Sequence, residues 1–332
     1  MLGTSMAPAF ADAVSVNFEP PTYTTGTING QNGWSKTGPY DVEVVSSPIY
    51  GYPLFGTQSL RISDEFTSGA FGDQTFAPPL TNAVGEAGST DGSFSRGTLQ
   101  RHFETQFDIA STIHIEQVGM HLSVSPDRGD GSRMSYLRFD DKPTGIDVFF
   151  DDVQQAAPCT PVSCANFVET QIGTLTRTVP HTIKLTMDLL DGPGNDVVKV
   201  YIDGTLVKTG TSWEDYYRYD PEASAEQSPR IIKTVLFRES AVAHPANAGN
   251  GFLIDNFSTF SGPILVGPPT NKDQCKKDGW KTFNNPTFKN QGECVSFVEH
   301  LNENGHNQDH DQCDRSAEHL NKEEHNHNHD HD

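Results

Sequence analysis

The stretch Val197-Val198-Lys199-Val200-Tyr201-Ile202-Asp203-Gly204-Thr205-Leu206-Val207 reads as a β-hairpin. Two runs rich in β-branched and aromatic residues flank Asp-Gly, a pair that tolerates the positive φ angles of a type I′ turn. Working outward, the same alternation of apolar and polar residues recurs from Val14 to about Phe260. In 98–109, Arg101, Phe103, Thr105, Phe107 and Ile109 fall on one face; His102, Glu104, Gln106 and Asp108 fall on the other. A second strand is expected over 113–124, with Val118, Met120, Leu122 and Val124 on its apolar face. The segments 133–140, 146–150, 182–190, 231–237 and 252–260 continue the series, and only 222–227 hints at a helical turn. The 29 Gly and 21 Pro are scattered between these runs, as many strands joined by many turns require. The expected fold class is all-β, a single sandwich core.

The formal net charge of -21 excludes nucleic acid and anionic membrane surfaces as partners and leaves cations, neutral glycans and basic surfaces. Ala11-Asp12-Ala13 is a small-x-small site directly before the strand-like Val14-Ser15-Val16-Asn17-Phe18, so 1–13 is expected to be the end of a secretory leader. No run approaches 18 apolar residues, so no membrane span is expected. Cysteine usage fits export to an extracellular or cell-surface location. Cys159 and Cys164 enclose a short Pro-containing loop suited to a local disulfide, Cys275 and Cys294 form the natural second pair, and Cys313 is left over. Gly262-Pro263 and Gly267-Pro268-Pro269 mark a linker over 263–270. The expected organisation is then a sandwich over 14–262, a small disulfide unit over 271–302 and a disordered tail over 303–332.

With Lys184-Leu185-Thr186-Met187-Asp188 before it and Gly251-Phe252-Leu253-Ile254-Asp255-Asn256-Phe257 after it, the hairpin resembles the V-x-V-Y-I-D-G-x-L-V hairpin and closing G-x-x-x-D-N-x strand of the concanavalin A-like, laminin-G-like jelly-roll superfamily. Phe18-Glu19 and Ile28-Asn29-Gly30-Gln31-Asn32-Gly33-Trp34 look like the first strands of its bacterial members. The resemblance covers roughly 14–262 and implies a jelly-roll β-sandwich. It leaves function open among lectins, glycosidases, lyases and adhesion modules. The C-x4-W…F-x-N-Q-G-x-C-V skeleton of 271–302, with an amphipathic helix over Val295, Phe297, Val298 and Leu301, looks like a C-terminal appendage of other exported bacterial proteins.

Four groups of residues carry candidate chemistry. On the polar strand face, His102, Glu104 and Gln106 project together, and His121, Tyr136 and Arg138 are expected on neighbouring strands. Such a set resembles the equipment of alginate-type polysaccharide lyases, which neutralise a uronate carboxylate and remove its α-proton. The R-x-E-[LV]-R and Q-I-H strings of those enzymes are absent, as is the E-x-D-x-x-E string of jelly-roll β-glucanases. A solvated face with cross-strand charge pairs is the alternative. The loop Trp213-Glu214-Asp215-Tyr216-Tyr217-Arg218-Tyr219 offers rings to stack on sugars and charged groups to bond their hydroxyls, unless some rings fold inward. Trp34 and Tyr40 are lesser candidates of that kind, Trp34 being better placed in the core.

Eight of the 13 His lie from His300 onward, and His306, His310, His325, His327, His329 and His331 alternate with Asp and Asn. This composition suits Zn²⁺, Cu²⁺ or Ni²⁺ on a flexible chain. The implied superfamily often binds Ca²⁺, for which Asp127, Asp130, Asp151, Asp152 and Asp255 are possible ligands without fixed spacing. Nucleophile elbows, phosphate loops, H-E-x-x-H and dinucleotide fingerprints are absent. The leading expectation is a secreted module that binds a polysaccharide or cell-surface glycan without cutting it. A polysaccharide lyase or glycoside hydrolase is second, and a structural matrix or adhesion protein third.

Overall fold

The hairpin forms as the sequence requires. Val197–Ile202 pairs antiparallel with Thr205–Gly210, and the turn places Asp203 at φ 51° and Gly204 at φ 78°. Both angles are positive, which is the geometry of a type I′ turn. The computed structural model in which this is seen describes residues 12–66, 74–86, 100–154, 166–220, 230–239, 242–264 and 266–301. Cys159, Cys164, the segment 222–227 and the histidines of the tail lie outside the described residues.

The hairpin is the edge of a nine-stranded antiparallel sheet. From that edge the order is Thr205–Gly210, Val197–Ile202, His181–Asp188, His102–Ser111, Phe252–Gly262, Gln58–Ser63, Asp41–Ser46 and Gly26–Thr27. Asp12–Val16 adds beside Phe252–Gly262, with Asp12 opposite Ser261. The second sheet has seven strands in the order Phe167–Leu175, Gly145–Val153, Leu137–Lys142, His121–Asp127, Thr234–Glu239, Thr75–Phe76 and Ser35–Lys36. A two-stranded ladder joins Ile231–Ile232 to Val84–Gly85. This is a jelly-roll β-sandwich, as expected.

One core fills the space between the two sheets. Phe103, Phe107 and Ile109 from the first meet Leu122, Phe139, Val148 and Phe237 from the second. The ring of Phe107 lies 6.1 Å from Phe139 and 5.9 Å from Phe237, both edge-on, the arrangement aromatic quadrupoles favour. Trp34 is 1% exposed, is surrounded by Phe18, Phe237 and Phe257, and donates its indole N–H to the Tyr23 hydroxyl at 3.2 Å. Tyr40 is likewise buried, donating to the Phe237 carbonyl at 3.0 Å, so neither ring is available to a ligand.

Several strand expectations are corrected. The chain between Ser111 and His121 is a loop, and Val118 is exposed on it. Gly119 ends the alternation there. It sits at φ 83°, and a Cβ on it would meet the His244 imidazole at 2.1 Å. Asp12 and Ala13, read as part of a leader, pair with Ser261 and Phe260 in the first sheet. Asp41–Ser46, Gln58–Ser63 and Phe167–Leu175 are strands that the alternation did not single out.

The chain divides into two compact units, Met1–Ile264 and Leu265–Asp332. In the second, Asn271 caps a short turn over Lys272–Cys275, accepting from the backbone N–H of Asp273 and Gln274. A helix over 291–301 then packs Val298 against the Cys275–Cys294 disulfide. Leu301, expected on its apolar face, is exposed. Its core is Cys275, Cys294 and Val298, with Trp280, Phe283, Phe288 and Val295 packed partly against them. So small a core depends on its crosslink. Closing a loop of 19 residues stabilises by about 3 kcal/mol. Cys275→Ser is therefore expected to unfold this unit while leaving the melting of the sandwich in place. Hydrogen exchange resolved by segment checks it: protection should vanish over 266–301 and persist over the strands.

Candidate functional site

Along Leu137–Lys142 and its neighbours, alternate side chains enter the core and the rest face outward. Register then fixes the outward set. His121 lies opposite Asp140, Ser123 opposite both Arg138 and Arg238, and Arg138 opposite Phe149. Tyr136, one residue before the strand, accepts from the Asp151 backbone N–H at 3.2 Å. This outward face of the seven-stranded sheet therefore gathers His121, Tyr136, Arg138, Asp140 and Asp151.

Arg138 organises it. Its guanidinium stacks 4.2 Å above the Phe149 ring and bonds both Asp140 and Glu169. His121 Nδ1 approaches Asp140 Oδ1 at 3.1 Å. Burial pushes the Asp140 carboxyl up, but His121, Arg138 and Lys142 outweigh it and hold the group below the usual range. At Asp151 burial wins: with the Glu169 charge it raises the carboxyl to about 6 against Arg138. The Tyr136 phenol is pushed up by burial and hydrogen-bonds Ser123. Among the described residues, the direct Tyr136–His121 contact expected of a proton-abstracting pair is not made.

Aromatic rings border this face. The segment read as a loop at 213–219 contains a short helix, Glu214–Tyr219. Trp213 precedes it, donating its backbone N–H to Met134 at 2.8 Å and its indole N–H to the Asp151 carbonyl at 3.0 Å. These two bonds orient the indole. It stacks on Tyr136 with centroids 5.8 Å apart and planes at 17°, and it meets Phe167 edge-on at 4.8 Å. Phe167 also contacts Tyr216 and is 42% exposed. The rest of the segment turns inward. Tyr217 is buried and donates to the Arg133 carbonyl at 2.8 Å, and Glu214 and Asp215 are buried near Arg218. Arg218 also pairs with Glu86, and Tyr219 is half-buried. The seven residues are thus a wall in which Trp213 and Tyr216 are half-buried, packed on the core and in contact with the exposed Phe167.

The other catalytic candidates lie elsewhere. His102, Glu104 and Gln106 belong to the nine-stranded sheet and face outward on the opposite side of the sandwich, so the two halves of the expected set are not on neighbouring strands. His102 Nδ1 meets Asp188 Oδ1 at 2.6 Å and its Nε2 meets Glu104 Oε1 at 2.9 Å. Burial would push the imidazole down, but the two carboxylates hold it at about 9. His102 in turn, with Lys184, holds Glu104 at about 2 against burial. With both ring nitrogens engaged by carboxylates, His102 braces Asp188 on one strand to Glu104 on the next. Because the folded value lies above the unfolded one, its stabilisation is complete below about pH 6.5 and is lost as pH rises through about 9. His102→Gln should cost about 2 kcal/mol at pH 6, some 4–8 °C in Tm, and almost nothing at pH 10. Thermal melts at the two pH values check this.

The five aspartates considered for Ca²⁺ do not converge. Asp127 Oδ1 accepts from the backbone N–H of Gly129 and Gly131, Asp130 pairs with Arg128, and Asp152 Oδ1 accepts from Thr211. The Asp151 carboxyl lies opposite Glu169, and Asp255 accepts from the Asn256 backbone N–H. Among the described residues no group of three or more His, Cys, Asp or Glu side chains is placed to hold a metal ion.

No family model and no curated protein sequence matches this chain. Solved structures similar in strand arrangement include a β-agarase A from Zobellia galactanivorans, at 10% identity and a TM-score of 0.41 over 80% of this chain and 96% of that one. The cellulose-induced protein Cip1 is similar at 13% identity and a TM-score of 0.34, over 76% of this chain and 100% of that one. A sialidase is similar at 13% identity and a TM-score of 0.37 over 73% of this chain, which spans 17% of the sialidase chain's length. These are likenesses of fold alone. Among the described residues no helix is long and apolar enough to cross a membrane.

Sequence reading named Tyr136, Arg138, His121 and Trp213 but missed Phe167, Phe149 and Ser123 as their neighbours. Phe167 opens an edge strand on the same face as Glu169 and Gln171, so no apolar period marks its position.

Proposed function

We propose that the sandwich is an exported binding module that holds a polysaccharide against the outward face of the seven-stranded sheet without cutting it. The observation that carries this reading is the continuity of the Tyr136–Trp213–Phe167–Tyr216 rings with Arg138, Asp140 and His121. Ring faces stack on the apolar side of a pyranose, and planar charged groups bond its hydroxyls. Asp151 lies opposite Glu169 across the strand pair, so the same face also carries two neighbouring carboxylates, and the assay below tests product release as well as retention. In the same reading the His/Asp-rich tail captures Zn²⁺, Cu²⁺ or Ni²⁺. Identical calorimetric isotherms for the full chain and one ending at Asn302 would overturn that part.

The central test is retention on a panel of insoluble polysaccharides, with reducing ends and unsaturated products assayed in parallel. Retention without release, lost in Trp213→Ala, supports the reading. Product release abolished by Asp151→Asn overturns its non-catalytic part, and failure to be retained on any polymer overturns the whole.

A further inference from the structure

The outward face of the nine-stranded sheet holds a feature that neither the brace at His102 nor the aromatic wall uses. An open depression of about 620 Å³ lies between the hairpin turn and the sheet centre, lined by Gln106, Thr182, Lys184, Tyr201, Asp203 and Gly204. Register explains why these meet: Gln106 lies opposite Lys184, which lies opposite Tyr201, which lies opposite Leu206. The type I′ turn at Asp203-Gly204 forms one wall, and nothing stands within 4 Å of where a Cβ on Gly204 would be.

The groups around the depression fall into two kinds. Some are fixed by neighbours. Lys184 Nζ is held by Glu104 Oε2 at 2.5 Å, the Thr182 hydroxyl donates to Asp108 at 2.6 Å, and Asp203 is held by His181 at 2.7 Å and by the Thr182 backbone N–H at 2.9 Å. Others are held ready. The Gln106 amide is exposed at the middle of the sheet and the Tyr201 hydroxyl at its side, and neither forms a hydrogen bond among the described residues. The Tyr201 ring is half-buried beside Leu206, whose side chain is 49% exposed. Charge around the site is close to balanced, since Lys184, Lys199 and protonated His102 face Glu104, Asp188, Asp108 and Asp203.

A ring beside an aliphatic side chain, a free amide able to donate and accept, and an ammonium with spare protons suit a polyhydroxyl ligand. Balanced charge disfavours an anion and a cation alike. We infer that this depression is a second saccharide site, for one or two units of a neutral glycan. Tyr201 and Leu206 would support the apolar face of a sugar ring while Gln106 and Lys184 bond its hydroxyls. The site rests on its own residues and lies on the far side of the sandwich from the face proposed above. With both occupied, one sandwich holds two glycan chains and links them.

The test is a ¹H–¹⁵N correlation titration of the full chain with neutral hexasaccharides, namely cellohexaose, laminarihexaose and xylohexaose, each to 10 mM. The Gln106 side-chain amide, which has its own pair of signals, and the Gly204 backbone amide are the reporters. The expected result is saturable movement of both with at least one hexaose. Tyr201→Ala should weaken that movement about tenfold, Gln106→Ala should weaken the Gly204 movement by a similar factor, and Trp213→Ala should leave both reporters unchanged. Preserved spectra elsewhere confirm that the surface variants fold. Unmoved Gln106 and Gly204 signals with all three sugars overturn the inference, as does movement that Tyr201→Ala does not weaken. The first site is read separately from the Trp213 indole signal, so failure at one face is distinguishable from failure at the other.

Discussion

Trp213→Ala is expected to lower the affinity of the proposed site for a retained polysaccharide about 100-fold, equivalent to about 2.7 kcal/mol. The size follows from what the indole holds as well as from what it touches. Its N–H bond to the Asp151 carbonyl and its contacts with Tyr136, Phe167 and Tyr216 make it the common neighbour of the other three rings. Removing it leaves Phe167 and Tyr216 without the surface that orients them, so three stacking elements are weakened together. Trp213→Phe keeps a ring but loses the N–H bond, and should fall between, at about tenfold. Isothermal titration with the polymer retained in the panel measures both, and urea unfolding of each variant separates lost binding from lost folding. Equal affinity for Trp213→Ala and the parent protein would remove the aromatic wall from the binding site.

Glu214→Gln is expected to make the protein more stable at alkaline pH. Glu214 is 2% exposed and Asp196 4% exposed. The Ser212 hydroxyl links them, donating to Asp196 Oδ2 at 2.5 Å and accepting from the Glu214 backbone N–H at 3.1 Å. Burial, reinforced by the Asp196 charge, pushes Glu214 up to about 8, and burial pushes Asp196 to about 6 despite Ser212 and the Leu190 N–H. Both folded values lie above the ordinary ones. Between about pH 4.5 and 8 the folded protein therefore binds more protons than the unfolded chain, and stability falls as pH rises through that window. Glutamine keeps the shape without the charge. At pH 8.5 the variant should gain about 2 kcal/mol, or 4–8 °C in Tm, while at pH 5 it should match the parent. Asp255, raised by burial to about 8, contributes with the same sign, so a residual slope should persist. Tm flat between pH 5 and 8.5 in the parent would contradict the account.

These residues also show what the sequence could and could not convey. The hairpin was legible because Asp203-Gly204 and its flanks carry local information: a turn type and an alternation. The core-facing halves of His102–Ser111 and Val197–Ile202 were legible for the same reason. Which sheet a strand joins is a non-local fact. His102 and His121 both alternate with apolar residues, yet one faces out from the nine-stranded sheet and the other from the seven-stranded sheet. Strands with both faces engaged escaped notice too. In Asp41–Ser46, Val44 enters the main core while Val45 packs on the outer cluster of Tyr52, Phe55, Ala110 and Leu253, which erases the alternation. The inward turn of Tyr217 and the burial of Glu214 and Asp215 depended on a charged pocket assembled from Glu86, Asp196, Arg218 and Arg230, four positions far apart in the chain.

The pairing of Asp12 with Ser261 has a topological consequence. Partners across an antiparallel ladder stand about 5 Å apart at Cα, so the first and last strands of the sandwich meet end to start. The stretch from 12 to 262 is in effect a ring with one nick. A bridge of a few residues would close it, and a new opening at a turn such as Gly192–Asn195 would yield the same sandwich from a reordered gene, with the outward faces of both sheets untouched.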